Sequence, residues 1–107
     1  MSTQYNDLKT SEELSDAKIT PFVFDLMYML RKIKQTATVQ NVYFNKANEK
    51  LEIYVFYEKE DFDIEDEITK YFTDWETSYK YFPELFIYPL DMIDNKNLLL
   101  PINALEI

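Results

Sequence analysis

The stretch that decides the fold is Val39-Gln40-Asn41-Val42-Tyr43-Phe44, a turn, and then Leu51-Glu52-Ile53-Tyr54-Val55-Phe56-Tyr57. Both arms are rich in β-branched and aromatic residues, the types that suit a pleated, half-buried surface. Side chains alternate across a strand. In the second arm Leu51, Ile53, Val55 and Tyr57 therefore share one face, and Glu52, Tyr54, Phe56 and Glu58 share the other. In the first arm Val42 and Phe44 point one way, while Val39, Asn41 and Tyr43 point the other. Residues 45–49 are expected to make the turn, longer than a two-residue loop, with Asn48 in a left-handed conformation. The second face of this hairpin is not polar, and the rest of the chain has to accommodate that.

Upstream, Val23, Leu26, Leu30 and Ile33 repeat at spacings of three and four, the period of an amphipathic helix over residues 21–35. Phe22 and Met29 widen this stripe, and Phe24 and Tyr28 lie off it. Thr20-Pro21 is a start signal, with threonine as N-cap and proline where its missing N–H costs nothing. Arg31, Lys32 and Lys34 suit the negative end of the helix dipole, which favours solvation over an anion site. Further upstream, Thr10 and Glu13 have the spacing of a capping box, with Ser11 as the other candidate cap, opening a turn over 12–18. Residues 1–10 are polar and expected to be flexible.

Downstream, residues 58–67 hold seven of the chain's 20 acidic residues against a single lysine, Lys59. Asp61 or Asp63 is placed to cap a second helix, whose stripe is Ile64, Ile68, Phe72, Trp75 and Tyr79. Pro83 follows its end. Residues 84–90 then alternate as a third strand, with Leu85 and Ile87 on one face and Phe86 and Tyr88 on the other. Pro89 cannot donate to a ladder and belongs near the strand's end. The expected fold class is α+β: a single small domain in the order helix-strand-strand-helix-strand, with about three strands packed by two helices. Residues 1–10 are the flexible N-terminus, 11–97 the domain, and 98–107 an apolar tail packed on the domain or on a partner.

Composition narrows the chemistry. A chain of 107 residues that is 47% hydrophobic and 17% aromatic has enough apolar surface for one core. No apolar run is long enough to span a membrane, and the first residues do not form a signal peptide. With no cysteine there is no disulfide framework, which fits a cytoplasmic location. With no histidine or cysteine, Ser-His-Asp and Cys-His catalysis and the usual zinc sites are out of reach. With no glycine there is no loop to cradle a phosphate, so left-handed turns should fall to Asn45, Asn48, Asn95, Asn97 and Asn103. A net charge of −9 disfavours direct nucleic-acid or membrane binding. No cofactor is expected. A calcium loop starting at Asp61 fails, because it lacks the sixth-position glycine and has Phe72 at the twelfth position.

From Val39 to Ile93, the run Leu51-Glu52-Ile53-Tyr54-Val55-Phe56, the acidic helix start and Phe82-Pro83-Glu84-Leu85-Phe86-Ile87-Tyr88-Pro89-Leu90-Asp91 together resemble the core of a minimal, antitoxin-type nucleotidyltransferase-like domain. The resemblance covers about half the chain. It implies a magnesium-dependent site with a Gly-Ser after the first strand and an Asp-x-Asp opening the second. This chain has no glycine, and Lys50-Leu51-Glu52 stands at the Asp-x-Asp position, so Glu52 alone keeps an acid. The resemblance therefore implies a relative without the catalysis.

If both helices cover the Val42, Phe44, Ile53, Val55, Leu85 and Ile87 side, the other side displays Tyr43, Tyr54, Phe56, Phe86 and Tyr88. Five aromatics at ~150–250 Å² each exceed the few hundred Å² a soluble monomer normally exposes. The tail (Leu98, Leu99, Leu100, Ile102, Leu105), the first helix, a second subunit or a foreign protein should cover them. The functional expectation is a non-catalytic interaction or regulatory module of the antitoxin, immunity or inhibitor kind, able to mimic nucleic acid toward a basic partner. Its contact candidates are Glu58, Glu60, Asp61, Asp63 and Glu65, and the aromatics Tyr43, Tyr54, Phe56, Phe86 and Tyr88. A protein partner or a homodimer is the expected company. The alternative is a magnesium-dependent carboxylate enzyme built on Glu52 and Glu58, or on Asp61 and Asp63.

Overall fold

The computed structural model describes residues 16–47, 50–81 and 83–107, with residues 16–22 described as backbone only. The elements in chain order are α1 (Asp16–Lys34), β1 (Val39–Ala47), β2 (Lys50–Tyr57), α2 (Phe62–Tyr79), β3 (Glu84–Pro89) and β4 (Leu105–Glu106). Two short 3₁₀ turns, Leu90–Met92 and Lys96–Leu98, lie between β3 and β4. The sheet order is β3-β2-β1-β4. β1 is antiparallel to both β2 and β4, and β3 runs parallel to β2. A parallel neighbour needs a crossover rather than a tight turn, and α2 supplies it.

Both helices pack on one side of the sheet. Leu26, Met29, Leu30 and Ile33 of α1 and Ile68, Phe72 and Trp75 of α2 form one buried cluster with Val42, Ile53 and Val55. Leu30, Ile33, Val42, Ile53, Val55 and Ile68 are fully buried. Each such side chain contributes roughly 1.5–3 kcal/mol of transfer free energy relative to exposure. The α+β class and the helix-strand-strand-helix-strand order follow the sequence pattern, with one strand more than expected. Leu105 and Glu106 pair with Phe44 and Tyr43, and the Ile107 N–H donates to the Val42 carbonyl at 2.8 Å. Ile107 packs against the core from this position.

Several local details differ from the sequence reading. α1 begins at Asp16, so Pro21 lies inside the helix and the Thr20-Pro21 start signal is overridden. Val23 is 44% exposed although it falls on the apolar stripe; the seam is Leu26, Met29, Leu30 and Ile33. The hairpin is tighter than expected: Ala47 pairs with Lys50, which leaves a two-residue connection. A register shift between Val39 and Asn41 turns Val39 back against the core, opposite to the face that strict alternation assigns it.

The left-handed positions among the described residues are Thr38 (φ 67°) and Lys80 (φ 54°), not the asparagines. Lys80 ends α2, with its N–H donating to the Glu76 carbonyl. Thr38 closes the α1–β1 link, where its carbonyl accepts from the Glu58 N–H at 3.0 Å. Asn45 is instead a buried strand residue whose amide donates to Glu52 Oε1 at 3.1 Å. Asn95 caps a 3₁₀ turn from an extended conformation. The flexible terminus over 1–10, the Thr10–Glu13 capping box, the Ser11 cap and the Asn48 turn lie outside the described residues.

Candidate functional site

The five aromatics assigned to one sheet face do come together. β2–β3 register sets Tyr54 beside Phe86 and Phe56 beside Tyr88, and both pairs stack, with centroids 4.9 and 5.6 Å apart. The Phe86 and Tyr88 rings stack nearly parallel with centroids 6.5 Å apart, and Tyr43 meets Phe56 edge-on at 5.9 Å. The rings thus form a continuous ladder across three strands.

The ladder is partly covered rather than bare. Phe56 is fully buried and Tyr54 nearly so, while Tyr43, Phe86 and Tyr88 are half-buried. α1 and α2 lie on the other side, and from the segment between β3 and β4, which joins the two edges of the sheet, Lys96 reaches over two of the rings. Its Nζ lies 5.5 Å from the Tyr43 ring centroid and 6.0 Å from that of Phe56. The same ammonium donates to Asn41 Oδ1 at 2.7 Å, and Asn41 Nδ2 donates to Glu106 Oε2 at 2.8 Å. A cation over aromatic faces is attracted by the ring quadrupoles, and the bond to Asn41 holds this one in place. Leu98 and Ile102 point elsewhere, being 81% and 99% exposed.

At the polar margin of this face, the Tyr54 hydroxyl donates to Glu52 Oε1 at 3.0 Å. Burial, the hydrogen bond to Glu52 and neighbouring negative charge push the Tyr54 phenol up to about 12.

The acidic residues form a second site at the N-terminal end of α2. Asp61 is the N-cap, its Oδ1 accepting from the Asp63 N–H at 2.9 Å. Asp63 and Glu65 lie in the first turn, where the helix dipole stabilises negative charge. Tyr57 ties this helix start to the sheet. Its fully buried ring puts the hydroxyl where it donates to Glu65 Oε2 and accepts from the Asp61 N–H at 3.2 Å. Burial and the Glu65 carboxylate push this phenol up to about 12, with the Asp61 N–H acting in the opposite direction.

Glu58, Glu60, Asp61 and Asp63 are exposed, and Glu65 is turned inward and half-buried. Asp91 joins them. Its N–H donates to the Glu58 carbonyl at 3.1 Å, and its Oδ1 accepts from the Glu60 N–H at 3.2 Å. Gln40 donates to Glu58 Oε2 at 2.7 Å. Among the described residues the only ion pair between side chains is Lys50–Glu84 at 3.7 Å, away from this front. Among the described residues no three acidic side chains converge as an ion would require. Glu52 is engaged with Asn45 and Tyr54, and Asp61 with the helix cap. No helix among the described residues is long and apolar enough to cross a membrane.

Two members of these sites escaped the sequence reading. Asp91 is 31 residues from Glu60 and comes beside it only because β3 is parallel to β2, which places their C-terminal ends together. Lys96 carries no motif. A further feature, a cleft of about 660 Å³ between α1 and α2, is lined by Tyr28, Met29, Lys32, Tyr71, Trp75 and Asp74 among others. The Tyr79 hydroxyl donates to Asp25 Oδ2 across it, and that bond followed by burial pushes the Tyr79 phenol up to about 12. Comparison with protein-family models, with curated proteins and with solved structures returns no match to this chain.

Proposed function

We propose that the protein is a non-catalytic binding module whose acidic front meets a basic surface on another protein. The observation that supports this reading is the gathering of Glu58, Glu60, Asp61, Asp63 and Asp91 at one corner, with hydrogen bonds tying Asp91 to Glu58 and Glu60 and no ion pair there among the described residues. Like charges held together raise the local potential, and a partner cation relieves their repulsion. The front is also anchored: Asp61 and Glu65 are both bonded to the buried Tyr57, so binding there orders little that is not already ordered. An antitoxin-, immunity- or inhibitor-like role, including mimicry of a nucleic-acid backbone, fits a front of this kind.

The test spares the groups that hold the fold. Glu58→Lys, Glu60→Lys and Asp63→Lys reverse three exposed charges, while Asp61 and Glu65 keep their structural bonds. Titration of the labelled protein with a lysine-rich peptide should shift amides 58–66 and Asp91, weaken steeply with salt, and fail in the triple variant. Equal shifts in the variant, or shifts spread over the whole surface, would refute the assignment.

A further inference from the structure

The two ends of the sheet are treated differently. On the β1 side the terminal strand is β4, two residues long, and a short edge strand offers little ladder to a partner. On the other side the terminal strand is β3, six residues long, with β2 on its inner edge and no strand on its outer edge among the described residues. Natural edges of that length usually carry a lysine, a bulge or a central proline. β3 has its charge at the first position, Glu84, and its proline at the last, Pro89. Between them Leu85-Phe86-Ile87-Tyr88 is unguarded, and all four are half-exposed.

An unpaired edge is specific about its occupant, because what satisfies it is another extended strand with matching alternation. β3 itself meets that requirement. An antiparallel pair about a two-fold axis perpendicular to the sheet keeps like faces together and puts one residue on the axis. With Ile87 on the axis, Phe86 of one copy lies opposite Tyr88 of the other, so every edge ring meets a ring. The aromatic ladder of Tyr54–Phe86 and Phe56–Tyr88 then runs on into the second sheet. Glu84 falls outside the paired segment, and Pro89 pairs only at its end, where a missing N–H matters least. With Phe86 on the axis, Glu84 would instead oppose Tyr88.

We propose that β3 pairs antiparallel with β3 of a second copy of this chain, centred on Ile87, giving a continuous sheet through the dimer. This surface is separate from the acidic front and does not depend on its role. A six-residue edge with two rings falls short of the roughly 1,000 Å² typical of a stable interface, so the association is weak and concentration-dependent. Each copy carries a charge of −9, so screening strengthens the dimer, the reverse of the salt response at the acidic front.

The absence of cysteine from the chain makes the register directly testable. Ile87→Cys should form an intermolecular disulfide on mild oxidation, because residues facing each other on an antiparallel pair have Cα atoms about 4.5–5.5 Å apart. Leu85→Cys, opposite Pro89 of the other copy, should not form one, nor should Glu60→Cys. Analytical ultracentrifugation of the unaltered protein should show reversible dimerisation that increases with added salt. Crosslinking at Leu85→Cys or Glu60→Cys as readily as at Ile87→Cys overturns the register. A monomer at every concentration and salt level overturns the dimer.

Discussion

Replacing Tyr57 by phenylalanine removes one oxygen and tests how the sheet is joined to α2. The ring is fully buried and stays so in the variant, so the apolar term changes little. Two polar contacts are lost: the bond donated to the Glu65 carboxylate and the bond accepted from the Asp61 N–H. A hydrogen bond to a charged group contributes about 1.5–3 kcal/mol net, and a neutral one about 0.5–1.5 kcal/mol. Glu65 is half-buried, so water can replace part of the first, and the expected loss is about 2 kcal/mol. For a domain of this size that lowers Tm by on the order of 10 °C.

The pH profile gives a second readout. The phenol has an ordinary value of 10 and is pushed up to about 12 in the folded state. A raised value means that the protonated form is favoured by folding. The contribution is therefore complete below pH 10 and lost as pH climbs toward 12. Tyr54 and Tyr79 titrate in the same window, so the variant should lose only part of the alkaline slope. Urea denaturation at pH 7, 10 and 12 with a Glu65→Gln cycle measures all of this. Coupling below about 0.5 kcal/mol between the two sites, or an unchanged alkaline slope, would refute the stated role of Tyr57.

Other substitutions probe other joints. Lys96→Met should cost about 1–2 kcal/mol by removing a part-buried cation–π contact and the bond to Asn41, and should move the ring protons of Tyr43 and Phe56; denaturation and NMR read both. Asp61→Ala should cost about 1 kcal/mol through the lost cap, whereas Asp61→Asn should keep most of it, which separates capping from charge in thermal melts. Phe56→Ala should cost about 3–5 kcal/mol by leaving a cavity between Tyr43 and Tyr88, measured as a lower urea midpoint.

Much of the architecture was legible in local pattern, because the periods of two and 3.6 survive wherever a face is buried. The alternation Leu51, Ile53, Val55, Tyr57 and the stripe Ile68, Phe72, Trp75 predict their sides of the core directly. What was not legible depended on distant partners. Val39 sits on the core side because a bulge resets the alternation, and no residue type announces a bulge. Thr38 and Lys80 occupy left-handed positions that residue preference assigns to asparagine; the chain must turn where its elements end. On the aromatic face, residue pattern points to apolar area as the signal of a contact and passes over a lone lysine. Lys96 lays an ammonium over two of the rings while bonded to Asn41.

The lysine contact limits what the aromatic face can do. Five uncovered rings would make a sticky plane on which any partner could settle. With Lys96 over Tyr43 and Phe56, and Tyr54 bonded to Glu52, access to these three rings costs those contacts. The half-buried rim of the plane, Phe86 and Tyr88, lies along β3, so any remaining apolar attraction is directed sideways along the sheet rather than outward from its face. The acidic corner lies at the C-terminal ends of β2 and β3, where Glu58 and Asp91 meet. A partner held there by charge and a copy paired at the β3 edge would therefore stand close together. The salt response of the two equilibria, opposite in sign, provides the means to separate them.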